Sequence, residues 1–387
     1  MRVIPYARQD ISDDDIAAVY AALRSDFLTQ GPAVEHFERQ VAERCGVRNA
    51  VAVSSATAAL HLACIALDLG PGDLAWTSPN TFVASANCAR YCGADVDFVD
   101  IDPASWNLSP ALLAEKLAVA REAGRLPKVL VPVHFAGRSC EMDVVGRLAR
   151  EYGVAVIEDA SHAIGAKFGD APVGACLYSD CAVFSFHPVK IVTTGEGGII
   201  VTNRDDLAER LRRLRSHGIT RDITKMLEHD PAPWYYEQLE LGYNYRMTDI
   251  QAALGSSQLA RLDAFVIRRR KLAAEYSLHL ADLPLQLPLS DANNESAWHL
   301  YTVRLQLDAI AKTHRQVFDE LRSAGIGVNL HYMPVYLHPY YRQQGFKPGL
   351  CREAERYAAE TISLPLFPGL TAAELISVVA NLKRVLG

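Results

Sequence analysis

At 387 residues the chain has room for two domains with sizeable cores, and a composition half hydrophobic and 22% charged is that of a soluble globular protein. A formal net charge of −6 argues against nucleic acid as a partner; the only dense basic run, Arg268-Arg269-Arg270-Lys271, reads as the solvated end of a helix. The opening MRVIPYARQDISDDD lacks the apolar segment and cleavage site of a signal peptide, no stretch approaches a membrane span, and eight cysteines without Cys-x-x-Cys spacing predict thiols in a reducing cytoplasm.

From about residue 50 to 202, short β-branched runs alternate with amphipathic segments. The runs predict strands at Val51–Val53, Ala75–Ser78, Asp97–Asp100, Val129–Val133, Val154–Ile157, Ala182–Ser185 and Ile199–Thr202. Helices are expected between them at Thr57–Leu67, Pro110–Glu122 and Met142–Tyr152. This alternation implies an α/β fold built on a mainly parallel sheet with helices on both faces. Cys88 and Cys92 lie one helical turn apart in an apolar segment, a spacing open to a metal pair but better suited to packed thiols, so no metal is expected. Residues 220–240 read as irregular and carry Pro231, Pro233, Trp234, Tyr235 and Tyr236. From Thr248 to Tyr276 the pattern is helical throughout, with Ile250, Leu254, Leu262 and Phe265 on one side, and reads as a helix joining two domains. Strands at Leu300–Leu305 and Gly327–Leu330 and helices at His314–Ala324 and Thr371–Leu386 make a smaller α+β domain. The division is thus residues 1–250 for the large domain with an N-terminal arm, and 251–387 for the small one.

One lysine stands out. Lys190 follows the strand ending at Ser185 and precedes Thr193-Thr194-Gly195-Glu196-Gly197-Gly198, a run too small and flexible to pack for stability alone. Small residues beside a lysine let a flat ligand approach the backbone closely. In a partly dry site the amine loses some preference for its charged form and becomes a nucleophile able to form a Schiff base with an aldehyde. Asp159, at the end of the strand beginning at Val154, can pair with a pyridinium nitrogen and make the ring an electron sink; it can equally cap the next turn. Ser54-Ser55-Ala56-Thr57 follows a strand and opens a helix, which suits a phosphate as well as a plain N-cap. Phe82 begins the next helix at the same sheet edge, where an aromatic either stacks on a flat ring or packs into the core. Each signal alone is weak, but their order along successive strand ends is not.

These residues and their surroundings resemble the sugar-nucleotide aminotransferases of the DegT/DnrJ/EryC1/StrS group. The resemblance spans nearly the whole chain, from Ile4-Pro5-Tyr6 to Leu364-Pro365. It is carried by Phe27-Leu28-Thr29-Gln30-Gly31-Pro32, Glu158-Asp159-Ala160-Ser161-His162, Phe184–Gly198 and Gly242-Tyr243-Asn244-Tyr245-Arg246-Met247. Ser25-Asp26-Phe27-Leu28, Trp234-Tyr235-Tyr236 and Asn329-Leu330-His331-Tyr332 are most similar to the branch that aminates UDP-4-keto-6-deoxy-N-acetyl-β-L-altrosamine on the way to pseudaminic acid.

The resemblance implies the fold-type-I architecture of enzymes that use pyridoxal 5'-phosphate, and a homodimer with shared active sites. It implies that Lys190 carries the cofactor and moves the proton, that Asp159 pairs with the ring nitrogen, and that His162 lies near the phenolic oxygen. Phe82 would cover one ring face. Ala56, Thr57 and Ser185 would hold the phosphate, with Asn244 supplied by the second subunit. Tyr6, Phe27, Leu28, Thr29, Tyr245, His331 and Tyr332 would line the pocket for a UDP-linked keto sugar, with L-glutamate as amino donor. Ala56 departs from the glycine found in many relatives, and its methyl restricts the backbone there. His162 also reads as a structural histidine and Asn244 as a cap for the turn before Thr248. Arg8 and Arg246 are the arginines considered for the pyrophosphate. Other 3-keto or 4-keto sugar nucleotides remain open as substrates. A sugar dehydratase on the same fold carries histidine in place of the lysine, so Lys190 counts against it, and an intact Lys190–Asp159 pair counts against a non-catalytic regulator.

Overall fold

The computed structural model describes residues 3–228 and 231–387; residues 229 and 230 of the expected irregular stretch lie outside the described residues. Seven strands form the main sheet, in the spatial order Asn49–Val53, Gly198–Thr202, Cys181–Ser185, Ala155–Asp159, Val129–Val131, Leu74–Thr77 and Asp95–Phe98. The four pairings from Cys181–Ser185 to Asp95–Phe98 are parallel. Gly198–Thr202 runs antiparallel to both its neighbours. The segment 186–197 therefore leaves and re-enters the sheet at one edge, the edge where the parallel strands end.

The sheet is buried on both faces, as its near-continuous apolar strands require. With a side-chain period of two, Val51, Val53, Val183 and Ile200 pack into one core, while Ala50, Ala52, Phe184 and Val201 pack into another on the opposite face. A second, three-stranded antiparallel sheet of Leu285–Gln286, Tyr301–Leu305 and Thr361–Leu364 has a separate core with the helices His314–Ser323 and Ala372–Leu386. Thr313 and Thr371 begin those helices with reciprocal capping boxes to Gln316 and Glu374.

Several expected elements differ in detail. The strand expected at Asp97–Asp100 is Asp95–Phe98, and the one expected at Val154–Ile157 is Ala155–Asp159. Gly327–Leu330 is not a strand: Ile326 and Asn329 make only isolated bridges, to Ile4 and Ser363. The long helix is two, Asp249–Ala260 and Leu262–Leu280, broken at Arg261. The Arg261 guanidinium is tied to Asp10 at 2.7 Å and to Asp15 at 2.5 Å, a tertiary demand that local periodicity does not report. Residues 220–240 include a short ladder between Ile219–Thr220 and Glu237–Gln238.

The basic run is the largest correction. It lies inside the helix Leu262–Leu280, and Arg269 is buried, donating to the carbonyls of Trp298 and His299 at 3.2 Å and Leu366 at 3.0 Å. Arg268 donates to the Leu370 carbonyl, and Arg270 pairs with Glu295. Three of the four cations thus fasten the helix to its surroundings, and Lys271 alone is an exposed residue.

Candidate active site

The parallel strand ends and the segments around His299 and Asn329–Met333 enclose a cavity of about 700 Å³. Its wall includes Tyr6, Ala56, Thr57, Phe82, Asp159, His162, Ser185, Lys190, His331 and Tyr332, so ten of the residues singled out from sequence meet there. Ligand sites in such sheets lie beyond the strand ends, where the loops gather.

Lys190 is reached by a turn in which its N–H donates to the His187 carbonyl at 2.8 Å. The run that follows is ordered rather than loose: Thr193 and Thr194 are buried, the Thr193 hydroxyl donates to the Phe186 carbonyl at 3.0 Å, and Gly195 takes a φ of +81° to make the turn. Phe186 N–H closes the base of the segment on the Gly197 carbonyl at 2.9 Å. Burial pulls the Lys190 amine down to about 8, against the opposing pull of the Asp159 charge.

Asp159 is buried, and its backbone is clamped to the segment after Val129–Val131, its N–H donating to the Pro132 carbonyl at 2.9 Å and its carbonyl accepting from the His134 N–H at 3.0 Å. Its Oδ2 accepts from the Ser85 hydroxyl at 2.6 Å and its Oδ1 from the Ser161 N–H at 3.1 Å. Beyond it, three imidazoles crowd the wall. Burial holds His162 and His299 well below the usual histidine range, with Lys190 adding its charge; His331 falls to about 3 for the same two reasons. All three are neutral at physiological pH. His162 and His299 have ring centroids 4.4 Å apart, and the Tyr332 hydroxyl lies 3.3 Å from His162 Nε2. Burial raises the Tyr332 hydroxyl far above the ordinary tyrosine range, so it stays protonated. When that hydroxyl donates to Nε2, the His162 proton resides on Nδ1, which is buried without a partner among the described residues.

At the other side of the cavity, Ser55 caps the helix Ala56–Ala66 through its hydroxyl, which accepts from Ala58 N–H at 3.1 Å. The cap thus uses the third N–H and leaves the end of the helix, with Ala56 and Thr57, at the cavity wall. Both readings of this turn, cap and anion site, hold together. Gly198 permits the approach: a Cβ there would lie 2.5 Å from the Ala56 nitrogen and from the Ser55 carbonyl carbon. Gly198→Ala is therefore expected to lower stability by roughly 1–3 kcal/mol and to loosen any phosphate held at the turn. A thermal melt and a phosphate-ester binding titration check this, and unchanged values in both would show the turn to be adaptable.

An aldehyde-bearing pyridine phosphate fits this set of groups. The site offers an amine easily made neutral, a buried acid for a ring nitrogen, an unpartnered neutral imidazole for a phenolic oxygen, and a helix N-terminus beside Ser185 for a phosphate. Phe82, exposed at the cavity rim with its ring 6.5 Å from that of Tyr332, is available to cover a flat ring.

Five expected residues do not reach this cavity. Phe27 and Leu28 are exposed, and Thr29 bridges to Thr248. Asn244 bridges to Ser216 and is exposed. Tyr245 stacks on Tyr243 with centroids 4.9 Å apart and places its hydroxyl 3.3 Å from His61 Nδ1. Arg8 and Arg246 also lie off the wall, which holds no arginine among the described residues. Conversely, sequence reasoning passed over His299, which sits in an apolar stretch beside Trp298 with no motif around it, and Ser85, which looks like an ordinary helix-start serine. Among the described residues, no cluster of three or more His, Cys, Asp or Glu side chains is arranged to hold a metal, and no helix is long and apolar enough to cross a membrane.

Comparison with known proteins agrees with this chemistry. The DegT/DnrJ/EryC1/StrS aminotransferase family model matches residues 9–383. The spore coat polysaccharide biosynthesis protein SpsC of Bacillus subtilis is 36% identical over 387 residues, covering 99% of this chain and 97% of SpsC. Among solved structures, Helicobacter pylori PseC, an aminotransferase involved in the biosynthesis of pseudoaminic acid, superposes with a TM-score of 0.89 at 29% identity over 100% of this chain and 99% of its own. Spr1654 of Streptococcus pneumoniae in its PLP form gives a TM-score of 0.88 at 27% identity over 99% and 98% of the two chains. The chain belongs to the DegT/DnrJ/EryC1/StrS aminotransferase family and is a sugar aminotransferase dependent on pyridoxal phosphate.

Proposed function

We propose that this enzyme moves the amino group of L-glutamate to C4 of a UDP-4-keto-6-deoxy-N-acetyl-hexosamine. The products are then UDP-4-amino-4,6-dideoxy-N-acetyl-β-L-altrosamine and 2-oxoglutarate. The observation that carries the reaction type is Lys190 facing the same cavity as Asp159, with its amine held down to about 8. The choice of sugar rests on the motifs around Phe27, Trp234 and His331 and on the likeness to PseC.

Bound pyridoxal phosphate supplies an aldehyde that carries the amino group and a ring that takes up the electron pair left when a Cα–H bond breaks. Lys190 would hold the aldehyde, and its free amine would be the base that takes the Cα proton of the donor. Asp159 keeps a proton on the ring nitrogen. His162, with its unpartnered Nδ1, would donate to the phenolic oxygen, while Ala56, Thr57 and Ser185 would hold the phosphate. In the second half-reaction Lys190 works in reverse, and the sugar carbon gains the proton.

The assembly we propose is a cytoplasmic homodimer in which Asn244 reaches the phosphate of the other subunit. Asn244 is exposed beside a stretch carrying Trp234, 80% exposed, and Leu241, 76% exposed, an apolar surface suited to a second copy. The test is a substrate panel with glutamate as donor, following 2-oxoglutarate release. The expected result is preference for the UDP-linked 4-keto-6-deoxy-N-acetyl sugar over 3-keto and deoxythymidine-linked keto sugars. Faster turnover with either of the latter would overturn the sugar assignment and leave the aminotransferase chemistry standing.

A further inference from the structure

Next to Asp159, two hydroxyls form a short relay, Thr81 at the cavity wall and Ser85 behind it. Ser85 Oγ lies 2.6 Å from Asp159 Oδ2 and 2.7 Å from Thr81 Oγ1, and both Thr81 and Ser85 are buried. Ser85 has one proton to give. Its alternatives are the carboxylate oxygen and the Phe82 carbonyl at 3.4 Å, and the shorter, charge-assisted bond wins. Thr81 must then donate to Ser85, which fixes the direction of the chain from Thr81 through Ser85 to Asp159.

The bland role for such hydroxyls is capping the adjacent helix, Ala84–Tyr91. That helix has no side-chain N-cap bond. The hydroxyls at its start are committed to the acid instead. Oδ1 is held by the Ser161 N–H at 3.1 Å, so the two donors together set the rotation of the carboxylate. Thr81 and Asp159 line the cavity, whereas Ser85 does not.

We propose that Ser85, backed by Thr81, is a positioning residue for Asp159, fixing the plane in which its carboxylate meets the ring nitrogen of the cofactor. The proposal rests on the pyridoxal phosphate reading of the cavity. Without the Ser85 donor the carboxylate turns about its last bond, the ring-nitrogen proton is held less firmly, and the ring carries less positive charge. Less positive charge on the ring makes the Lys190-linked nitrogen easier to protonate.

The test uses wild-type, Ser85→Ala and Thr81→Val proteins loaded with pyridoxal phosphate. Two readouts are taken: the pH midpoint of the visible absorbance change, and the rate at which the cofactor is lost on dilution. Ser85→Ala is expected to move the midpoint upward by at least about half a pH unit and to speed cofactor loss roughly tenfold. Thr81→Val, which leaves Ser85 in place but without its donor, should fall between Ser85→Ala and wild type. A purely structural serine would lower the melting temperature without moving the midpoint, and that pattern, or a Ser85→Ala protein matching wild type in both readouts, overturns the positioning role. Should Ser85→Ala not fold, an unshifted midpoint in Thr81→Val overturns it alone. A wild-type protein that takes up no chromophore overturns the cofactor reading and this proposal with it, which separates the two failures.

Discussion

Replacing Lys190 with alanine is expected to lower turnover by about four orders of magnitude or more, while the protein keeps its fold. In the proposed reaction the lysine supplies both the covalent attachment and the proton carrier, so no neighbouring group makes up the loss; the nearby imidazoles are buried, with two ring centroids 4.4 Å apart. Its absence does not weaken the fold. Burial pulls the amine from an ordinary 10.5 to about 8, so between these values the unfolded chain binds the proton more readily than the folded one. Stability therefore rises with pH through that window, and below about 8 the full penalty of a partly desolvated cation is present. The cofactor-free variant should melt at or above the wild-type temperature at pH 7. Steady-state kinetics and a thermal melt decide the matter; measurable transamination by the variant would take Lys190 out of the reaction. The same perturbation sets the rate at which the cofactor-free wild type captures pyridoxal phosphate. That rate should climb to about pH 8 and then level off, whereas a climb continuing to pH 10 would show an unperturbed amine.

Asp159→Asn comes next in size. Asparagine has nearly the same shape and can still accept from the Ser161 N–H. What it lacks is the negative charge that keeps the ring nitrogen protonated while an electron pair moves into the ring. Preorganised charge of this kind is typically worth 10²–10³ in rate, so kcat is expected to fall by about that factor. The KM for glutamate should change little, because in the proposed arrangement the acid meets the cofactor rather than the donor. A fall in kcat/KM carried entirely by KM would place Asp159 in substrate binding instead.

The parts of the molecule that were legible in sequence are those set by local pattern. The strand–helix alternation from residue 50 to 202 exposes the sheet because buried strands are short and β-branched. Lys190, Asp159, the Ser54–Thr57 turn and Phe82 stand out because each lies at or just beyond the end of a strand, and the DegT/DnrJ/EryC1/StrS resemblance adds the histidine. Features set by distant partners were hidden. The reversed direction of Gly198–Thr202 leaves no mark on its composition. Arg261, where the helix breaks, is tied to two acids near the N-terminus, and buried Arg269 meets three carbonyls from elsewhere in the chain. His299 and Ser85 matter only through what folding brings beside them. Phe27, Leu28, Thr29, Asn244 and Tyr245 matched family motifs, yet in a single chain they lie away from the cavity, four of them on or near its exposed surface and Tyr245 against His61.

The reversed strand also has a consequence for how such an enzyme can change. Ser185 and Gly198 are register partners, so the lysine rides on a hairpin whose two legs stand side by side. A connection between adjacent antiparallel strands is short-range, whereas a parallel crossover would have to span the sheet. Change is nevertheless confined to the outer part of that connection: Ile191, Val192, Thr193 and Thr194 are buried, so substitutions there disturb the packing that holds the lysine in place, whereas Gly195 and Glu196 are exposed.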